Sequence, residues 1–458
     1  MVAGTHSGAG KTTVATGLMA ALRRRGRNVA SAKVGPDFID PGYHTLATGR
    51  PGRNLDVWMS GAAAVAPLAA RAGAGADLLV VEGVMGLFDG AADGTPSSTA
   101  EVAKLIGAPV VLVVDAASMS QSVAALIHGY RSWDPQLRVA GVILNRVGSD
   151  SHEAMLRAAL AGPPGGPPVA DVLGVLHRDD SLSWRSRHLG LLPIAEDPAG
   201  VRGSIDRLAA LIDAGCDLEA IEASARSAPT ATVGRLPAPA AVGRARIAVA
   251  SGPAFSFTYL DNVEALEAAG AEVVPFDPCV DAGLPESIQA VVAGGGFPEV
   301  FAEALSANRP MLSAIAAHAR RGGVTWAECG GLLWLARSLD GWPMAGVVDA
   351  AAHMTERRVL GYRSGETTTA SPFGRPGIEV RGHEFHYTET DPPGDALRLT
   401  GRHGTSLGGF ASPRLLASYL HMHLGASPGL AEAFVRAAAA VDPAARGALA
   451  VTAPTGVS

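Results

Sequence analysis

Three cysteines in 458 residues (Cys216, Cys279 and Cys329) are too few and too scattered for a disulfide framework. None forms a CxxC pair or a metal-like spacing, and an odd, sparse count fits a reducing compartment. No apolar run reaches about 18 residues, so no membrane-spanning helix is expected. The N-terminus lacks a basic segment followed by a signal-type apolar stretch, and a cytoplasmic location follows as the expectation. Its first strand has only a few residues, which leaves a start further upstream open. Charge is sparse as well: 17% of residues are charged and the net charge is -6, which argues against nucleic acid or an anionic membrane as partner.

Apolar residues, in contrast, make up 48% of the chain, enough for a large core, and the length calls for two domains. The stretches 28–35, 77–83, 108–116 and 138–147 are short, β-branched and turn-bounded, with amphipathic segments between them. That alternation predicts parallel strands with crossover helices, a doubly wound α/β sheet that binds ligands at the carboxyl ends of its strands. A second α/β pattern starts afresh with 245–252, 272–277, 289–296 and 322–331. The expected organisation is a domain over 1–222, a Pro/Gly/Ala-rich linker over 223–244, a second domain over 245–440 and a tail over 441–458.

The stretch "GTHSGAGKTT" follows a short apolar segment and precedes a helical run. Gly8 and Gly10 let backbone N–H groups turn inward as an anion nest, the helix N-terminus adds partial positive charge, and Lys11 adds a full one. Thr12 is positioned to place a hydroxyl on Mg²⁺, with Thr13 beside it in the ATP phosphate site. The loop departs from the common G-x4-GK[ST] spacing, since Thr5 stands in the first-glycine slot. It resembles the deviant loops of dethiobiotin synthetases and of chromosome-partitioning ATPases, though His6 stands where the latter carry a lysine. Asp37 in "KVGPDFIDPGYH" and Glu82 in "LLVVEG" are the expected further Mg²⁺ ligands, with Asp40 and Asp89 behind them. Asn145, ending "GVILN", is placed either to read an adenine edge or to form a turn.

In "GGVTWAECGGLLWLARSL" a β-type run ends at Cys329 and a helical pattern begins at once. Such an elbow exposes a nucleophile and sets it at a helix N-terminus. Gly294, Gly295 and Gly296 follow another strand and, with Gly330, offer N–H groups for an oxyanion hole. "SYLHMHLG" supplies His421 and His423, which strand alternation would place on one face, so spacing does not choose between them. A Cys–His pair with glycine donors is an arrangement for acyl transfer through a thioester.

Taken in order, the deviant loop, "KVGPDFIDPGYH", "VEGVMGLFDG", "RHLGLLP", "GGGFPE", "ECGGL", "RGHEFHYT" and "SYLHMH" resemble the cobyrinic or hydrogenobyrinic acid a,c-diamide synthases over nearly the whole chain. The resemblance implies a dethiobiotin synthetase-like P-loop domain followed by a class I glutamine amidotransferase-like domain. It implies ATP, L-glutamine and Mg²⁺, acyl phosphate formation on a corrinoid carboxylate, and ammonia released from glutamine at Cys329. It favours His421 as the base. Most class I amidotransferases carry a Glu two residues after that histidine, where this chain has His423, so a Cys–His dyad or an acid from elsewhere is expected. A corrinoid bears many carboxylates, and Arg187, His188, Arg381, His383, Tyr43 and His44 are its expected contacts. Metal-free and cobalt-containing rings are not distinguished, and a homodimer is left open. The runner-up readings are a cobyric acid synthase-type amidotransferase and, in a different class, a ParA-like ATPase switch.

Overall fold

The computed structural model describes residues 1–91, 94, 97–162, 165–179, 186–187, 190–191, 198–226, 234 and 236–441. The chain divides into two compact units, Met1–Leu236 and Pro237–Ser458. The helix Leu218–Arg226 runs into the stretch read as linker from 223.

In the first unit, β1 (Val2–Gly4), β2 (Val29–Val34), β3 (Arg53–Leu55), β4 (Leu78–Glu82), β5 (Val110–Asp115), β6 (Val139–Val147) and β7 (Val172–His177) form one sheet in the order β3-β2-β4-β1-β5-β6-β7. Every pairing is parallel. The strands are continuous Val/Leu/Ala runs because helices cover both faces, as a parallel sheet requires. β1 lies centrally, so the loop after it opens at the carboxyl edge of the sheet, where the order reverses. The helix Lys11–Arg24 starts from that loop, and Gly17 admits the helix Pro198–Gly215: a Cβ there would meet Ile212 Cγ1 at 2.7 Å. A two-stranded ribbon, β8 (Ser186–Arg187) with β9 (Gly190–Leu191), completes the described strands of this unit.

The second unit holds two sheets. β10 (Ala245–Ala250), β11 (Ala271–Phe276), β12 (Ala290–Ala293), β13 (Val324–Glu328), β20 (Phe410–Ser412) and β21 (Leu415–Ser418) form the order β11-β10-β12-β13-β21-β20, parallel except for the last pair. Its two faces carry separate apolar clusters, one around Trp334 and Phe255, the other around Trp326, Phe373 and Phe434. The second sheet is built on a long antiparallel pair, β16 (Ala351–Thr367) with β17 (Glu379–Asp391). β14 (Ser338–Leu339), β15 (Trp342–Pro343), β18 (Leu397–Gly401), β19 (Gly404–Gly408) and β22 (His421–Met422) extend it. The polypeptide leaves the first sheet at Ser418 and joins the second at His421, pairing His421 with His383.

All eight expected strands are present, seven of them shortened at one end or both and β11 shifted by one residue. The long β16–β17 pair has no counterpart among the sequence expectations. The helix Pro428–Ala439 precedes the expected tail, and residues 442–458 lie outside the described ones.

Candidate functional site

The phosphate loop owes its shape to two left-handed glycines, Gly8 (φ 82°) and Gly10 (φ 98°), the second being the N-cap of the helix that begins at Lys11. Asn145 braces it, donating Nδ2–H to Ala9 O at 3.0 Å while packed so closely on Gly10 that a Cβ there would meet Nδ2 at 2.2 Å. Its Oδ1 also accepts the Arg146 N–H at 3.0 Å, so the side chain supports the local backbone on both sides. Tyr130 donates to Thr5 O from the other side. Lys11 is buried and donates to His6 O at 3.2 Å, curling back over the loop, with Thr13 next to Thr12 in the first turn. Burial, and then Lys33, hold the Lys11 ammonium below its ordinary value, which an incoming polyanion would reverse.

Behind the loop lies a buried polar cluster. Thr12 Oγ1 donates to Glu82 Oε1 at 2.6 Å and lies 3.4 Å from Asp40 Oδ2. Lys33, on β2, reaches both carboxylates at 2.7 Å, and His44 Nε2 lies 2.6 Å from Glu82 Oε2. Burial alone would push Glu82 up, but Lys33 and His44 outweigh it and hold Glu82 ionised, well below the usual carboxylate range. Burial would likewise lower Lys33, and Asp40, Glu82 and Asp37 together keep it above its ordinary value. Asp37 is pushed up by burial and then by neighbouring Asp40, and its Oδ1 accepts the Ile39 N–H at 2.8 Å. Asp40, ranked behind Asp37 from the sequence, is thus the carboxylate nearest Thr12 after Glu82.

These are hard oxygen donors at a phosphate loop, and they suit Mg²⁺. Among the described residues there is no group of three or more His, Cys, Asp or Glu side chains with the geometry to hold a metal ion. The fit is therefore that of an ion held by one hydroxyl and one or two carboxylates, with phosphate and water completing its shell. Tyr43 and His44 require a correction: both are buried in the core of the unit, and His44 is engaged with Glu82. Burial of both, and the contact of His44 with Glu82, keep them from a ring bound at the surface. The side chain of Arg187 and the whole of His188 lie outside the described residues.

In the second unit, β13 ends at Glu328 and the helix Gly330–Leu335 begins at once, leaving Cys329 at φ 47°, ψ −99°. A non-glycine residue at positive φ is strained by its Cβ, and the surrounding contacts hold it there. Cys329 N–H donates to Ser418 O at 2.7 Å, and Gly331 N–H donates to Gly294 O at 3.0 Å. Both Gly296 and Gly331 sit where a Cβ would collide with backbone carbonyls, at 2.0 Å from Ala254 O and 2.1 Å from Ala293 O. Burial, then Glu299, raise the Cys329 thiol far above its ordinary value, while the Gly330 N–H facing the sulfur pulls the other way. In isolation the site therefore stores a thiol, not a thiolate.

The expected oxyanion donors divide. Gly295 N–H is committed to Phe257 O at 3.0 Å in a reciprocal bridge, so it is withdrawn from that role. The Gly330 N–H faces the thiol, and a Cβ on Gly330 would lie 3.1 Å from Gly296 N, so these two amides are neighbours at the elbow.

The two histidines part company. His421 packs its Cε1 against Gly295, stacks on His383 with centroids 4.9 Å apart, and turns Nδ1 to within 3.8 Å of Glu328 Oε2. His423 faces the helix Leu260–Ala268, with Nε2 3.7 Å from Asp261 Oδ2 and its ring edge-on to Tyr259. Asn262 clamps the chain on either side of His423, donating to Met422 O at 2.8 Å and accepting from Leu424 N at 2.6 Å. Alternation fails to put the pair on one face because the strand ends at Met422. Burial, and then His386, lower His421 to about 3, so its imidazole is neutral at pH 7. His383 needs correction too: it is buried against His421, so it backs the histidine and is not placed to meet a corrinoid. Arg381 lies two residues before it on β17 and is exposed. Sequence reasoning missed Glu328, whose only signal was its place immediately before Cys329.

A phosphate loop on a parallel sheet in one unit, and in the other a cysteine elbow whose preceding residue Glu328 faces the buried His421, fit a nucleotide-dependent glutamine amidotransferase. Residues 1–191 match the CobQ/CobB/MinD/ParA nucleotide binding domain, and residues 246–429 match the CobB/CobQ-like glutamine amidotransferase domain. The chain is 49% identical to the hydrogenobyrinate a,c-diamide synthase of Streptomyces coelicolor, over 95% of this chain and 96% of that one. It is 46% identical to the enzyme of that name from Mycobacterium bovis, over 96% and 98%, and 40% identical to the cobyrinate a,c-diamide synthase of a Synechococcus strain, over 95% and 97%. The chain belongs to the a,c-diamide synthase family.

Proposed function

We propose that this protein amidates the a and c acetate carboxylates of hydrogenobyrinic acid, or of cobyrinic acid, using ATP and glutamine. The observation that carries the reading is the full-length likeness to diamide synthases, which spans both the phosphate-loop unit and the thiol unit. Higher identity to relatives named for hydrogenobyrinate than to those named for cobyrinate favours the metal-free ring.

Lys11 and the N–H groups around Gly8 and Gly10 hold the ATP phosphates, whose negative charge favours the Lys11 ammonium. Thr12, Glu82 and Asp37, with Asp40 beside Thr12, would hold a Mg²⁺ ion, which when bound would supply charge neutralisation on the phosphates. Lys33 and His44 keep Glu82 ionised for that task. Arg187, His188 and Arg381 are retained as contacts for the substrate's carboxylates. In the second unit, His421 takes the Cys329 proton as sulfur attacks the side-chain carbonyl of glutamine. The amides of Gly296 and Gly330 hold the oxyanion, the C–N bond breaks, and the proton leaves with ammonia. Ammonia displaces phosphate from the acyl phosphate, and two such rounds give the diamide. Housing both reactions in one chain matters because free ammonia is mostly protonated, and non-nucleophilic, at neutral pH.

The test offers hydrogenobyrinic and cobyrinic acid separately to wild type, Cys329→Ala and Lys11→Ala, with glutamine or ammonia, and counts added amides by mass spectrometry. Wild type should add two amides from either nitrogen source. Cys329→Ala should add them only from ammonia, and Lys11→Ala from neither. No product from either ring in the wild type would refute the reading.

A further inference from the structure

The family pattern of a Glu two residues after the histidine is missing, yet a neutral imidazole in a buried pocket needs something to fix which nitrogen carries its proton. Two buried carboxyls lie near the histidine pair. Asp261 faces His423, on the side of the helix Leu260–Ala268. Glu328 faces His421: Oε2 lies 3.8 Å from Nδ1, and Oε1 accepts the N–H of Met422, the next residue, at 2.8 Å. That second bond ties the carboxyl to the strand that carries the histidine. Its backbone is fixed just as firmly on the other side, since Glu328 pairs with Ser418 and is joined covalently to Cys329. One residue therefore holds the spacing between the elbow and the imidazole.

We propose that Glu328 is the positioning acid of the glutaminase site, its carboxylate holding the Nδ1 proton of His421 so that the other ring nitrogen keeps its lone pair for the Cys329 proton. The inference rests on the proposed glutaminase reading. The 3.8 Å separation is that of a resting site, and such contacts tighten in the substrate complex. No atom is transferred through Glu328. His421 keeps its Nδ1 proton, which the Glu328 carboxylate accepts as a hydrogen bond, while the thiol proton moves to the other ring nitrogen and on to ammonia, and the developing imidazolium gains a counter-charge. His383, stacked on His421 with ring centroids 4.9 Å apart, confines that ring.

The groups facing this carboxyl are His421 from β22, with His383 behind it, and Cys329 alongside, itself under Glu299 and Glu384. None is a permanent cation, and burial lifts the Glu328 carboxyl to about 8. The acting form is the anion, so glutaminase kcat/KM rises as pH passes through about 8.

Full-length wild type, Glu328→Gln, Glu328→Asp and Cys329→Ala are compared for glutamine hydrolysis across pH 6–10 and for ammonia-dependent amidation. The Gln variant should lose about a hundredfold in kcat, keep KM for glutamine, lose the rise near pH 8, and retain ammonia-dependent amidation. The Asp variant keeps the charge at greater distance and should fall between the two. Wild-type kcat with an unchanged pH profile in the Gln variant overturns the proposal, as does wild-type kcat in the Asp variant should the Gln form fail to fold. Glutamine hydrolysis that survives Cys329→Ala overturns instead the glutaminase reading beneath it.

Discussion

Glu82 and Glu328 are both carboxyls at the ends of buried strands, and their surroundings drive them in opposite directions. Glu82 meets Lys33 and His44 and is held ionised; Glu328 meets burial with a single backbone N–H and is lifted to about 8. The linkage for Glu328 has an unusual sign. Its unfolded form ionises near 4.5 while the folded form stays protonated, so this group destabilises the fold increasingly as pH rises from about 4.5 to about 8, then levels off. A displacement of that size corresponds to roughly 3–5 kcal/mol. Glu328→Gln, uncharged throughout, should therefore melt higher relative to wild type at pH 8 than at pH 5, read by thermal unfolding at the two pH values. A variant that gains stability and loses turnover would mark a residue kept for chemistry. At this scale Cys329 was legible because a strand running into a helix leaves a pattern in the chain. Glu328 was not, since its partner arrives from a remote strand and a carboxyl at a strand end looks like any other.

Eight strands of the two mainly parallel sheets could be read directly because both of their faces are covered, which forces continuous apolar runs, whereas β3, β7 and β20 were not picked out. β16 and β17 escaped for the converse reason. Few residues of β16 are buried, and the buried positions of β17 include His383, Glu384, His386, Thr388 and Thr390, so no alternation of apolar and polar residues survives. The same misreading put His383 with the corrinoid contacts when it lines the thiol site. Turns around the elbow were legible in composition, and the structure supplies the reason. A Cβ at Gly331 would lie 2.1 Å from the Ala293 carbonyl, in backbone that cannot yield as a flexible side chain would. Gly331→Ala should therefore destabilise the second unit by roughly 1–3 kcal/mol and lower glutamine hydrolysis, while ammonia-dependent amidation is kept. Thermal unfolding with paired activity assays checks this.

At the scale of the molecule, two units with separate cores make two reactions separable. Among the described residues no helix is long and apolar enough to cross a membrane. ATP with Mg²⁺ should stabilise the unit that carries the phosphate loop, by about 2.7 kcal/mol at a hundredfold excess over its dissociation constant. Calorimetry should show the corresponding transition rising in wild type and in Cys329→Ala, and staying put in Lys11→Ala. The division into two units was legible from the restart of the α/β pattern, but the two-sheet construction of the second unit was not. That construction carries a consequence of its own. Cys329 follows a strand of the mainly parallel sheet and His421 lies on the antiparallel one, so the proposed donor and acceptor of the thiol proton ride on different plates. The Met422 N–H bond to Glu328 Oε1 is a rivet between the two plates, joining the strand that carries the histidine to the one that leads into the thiol.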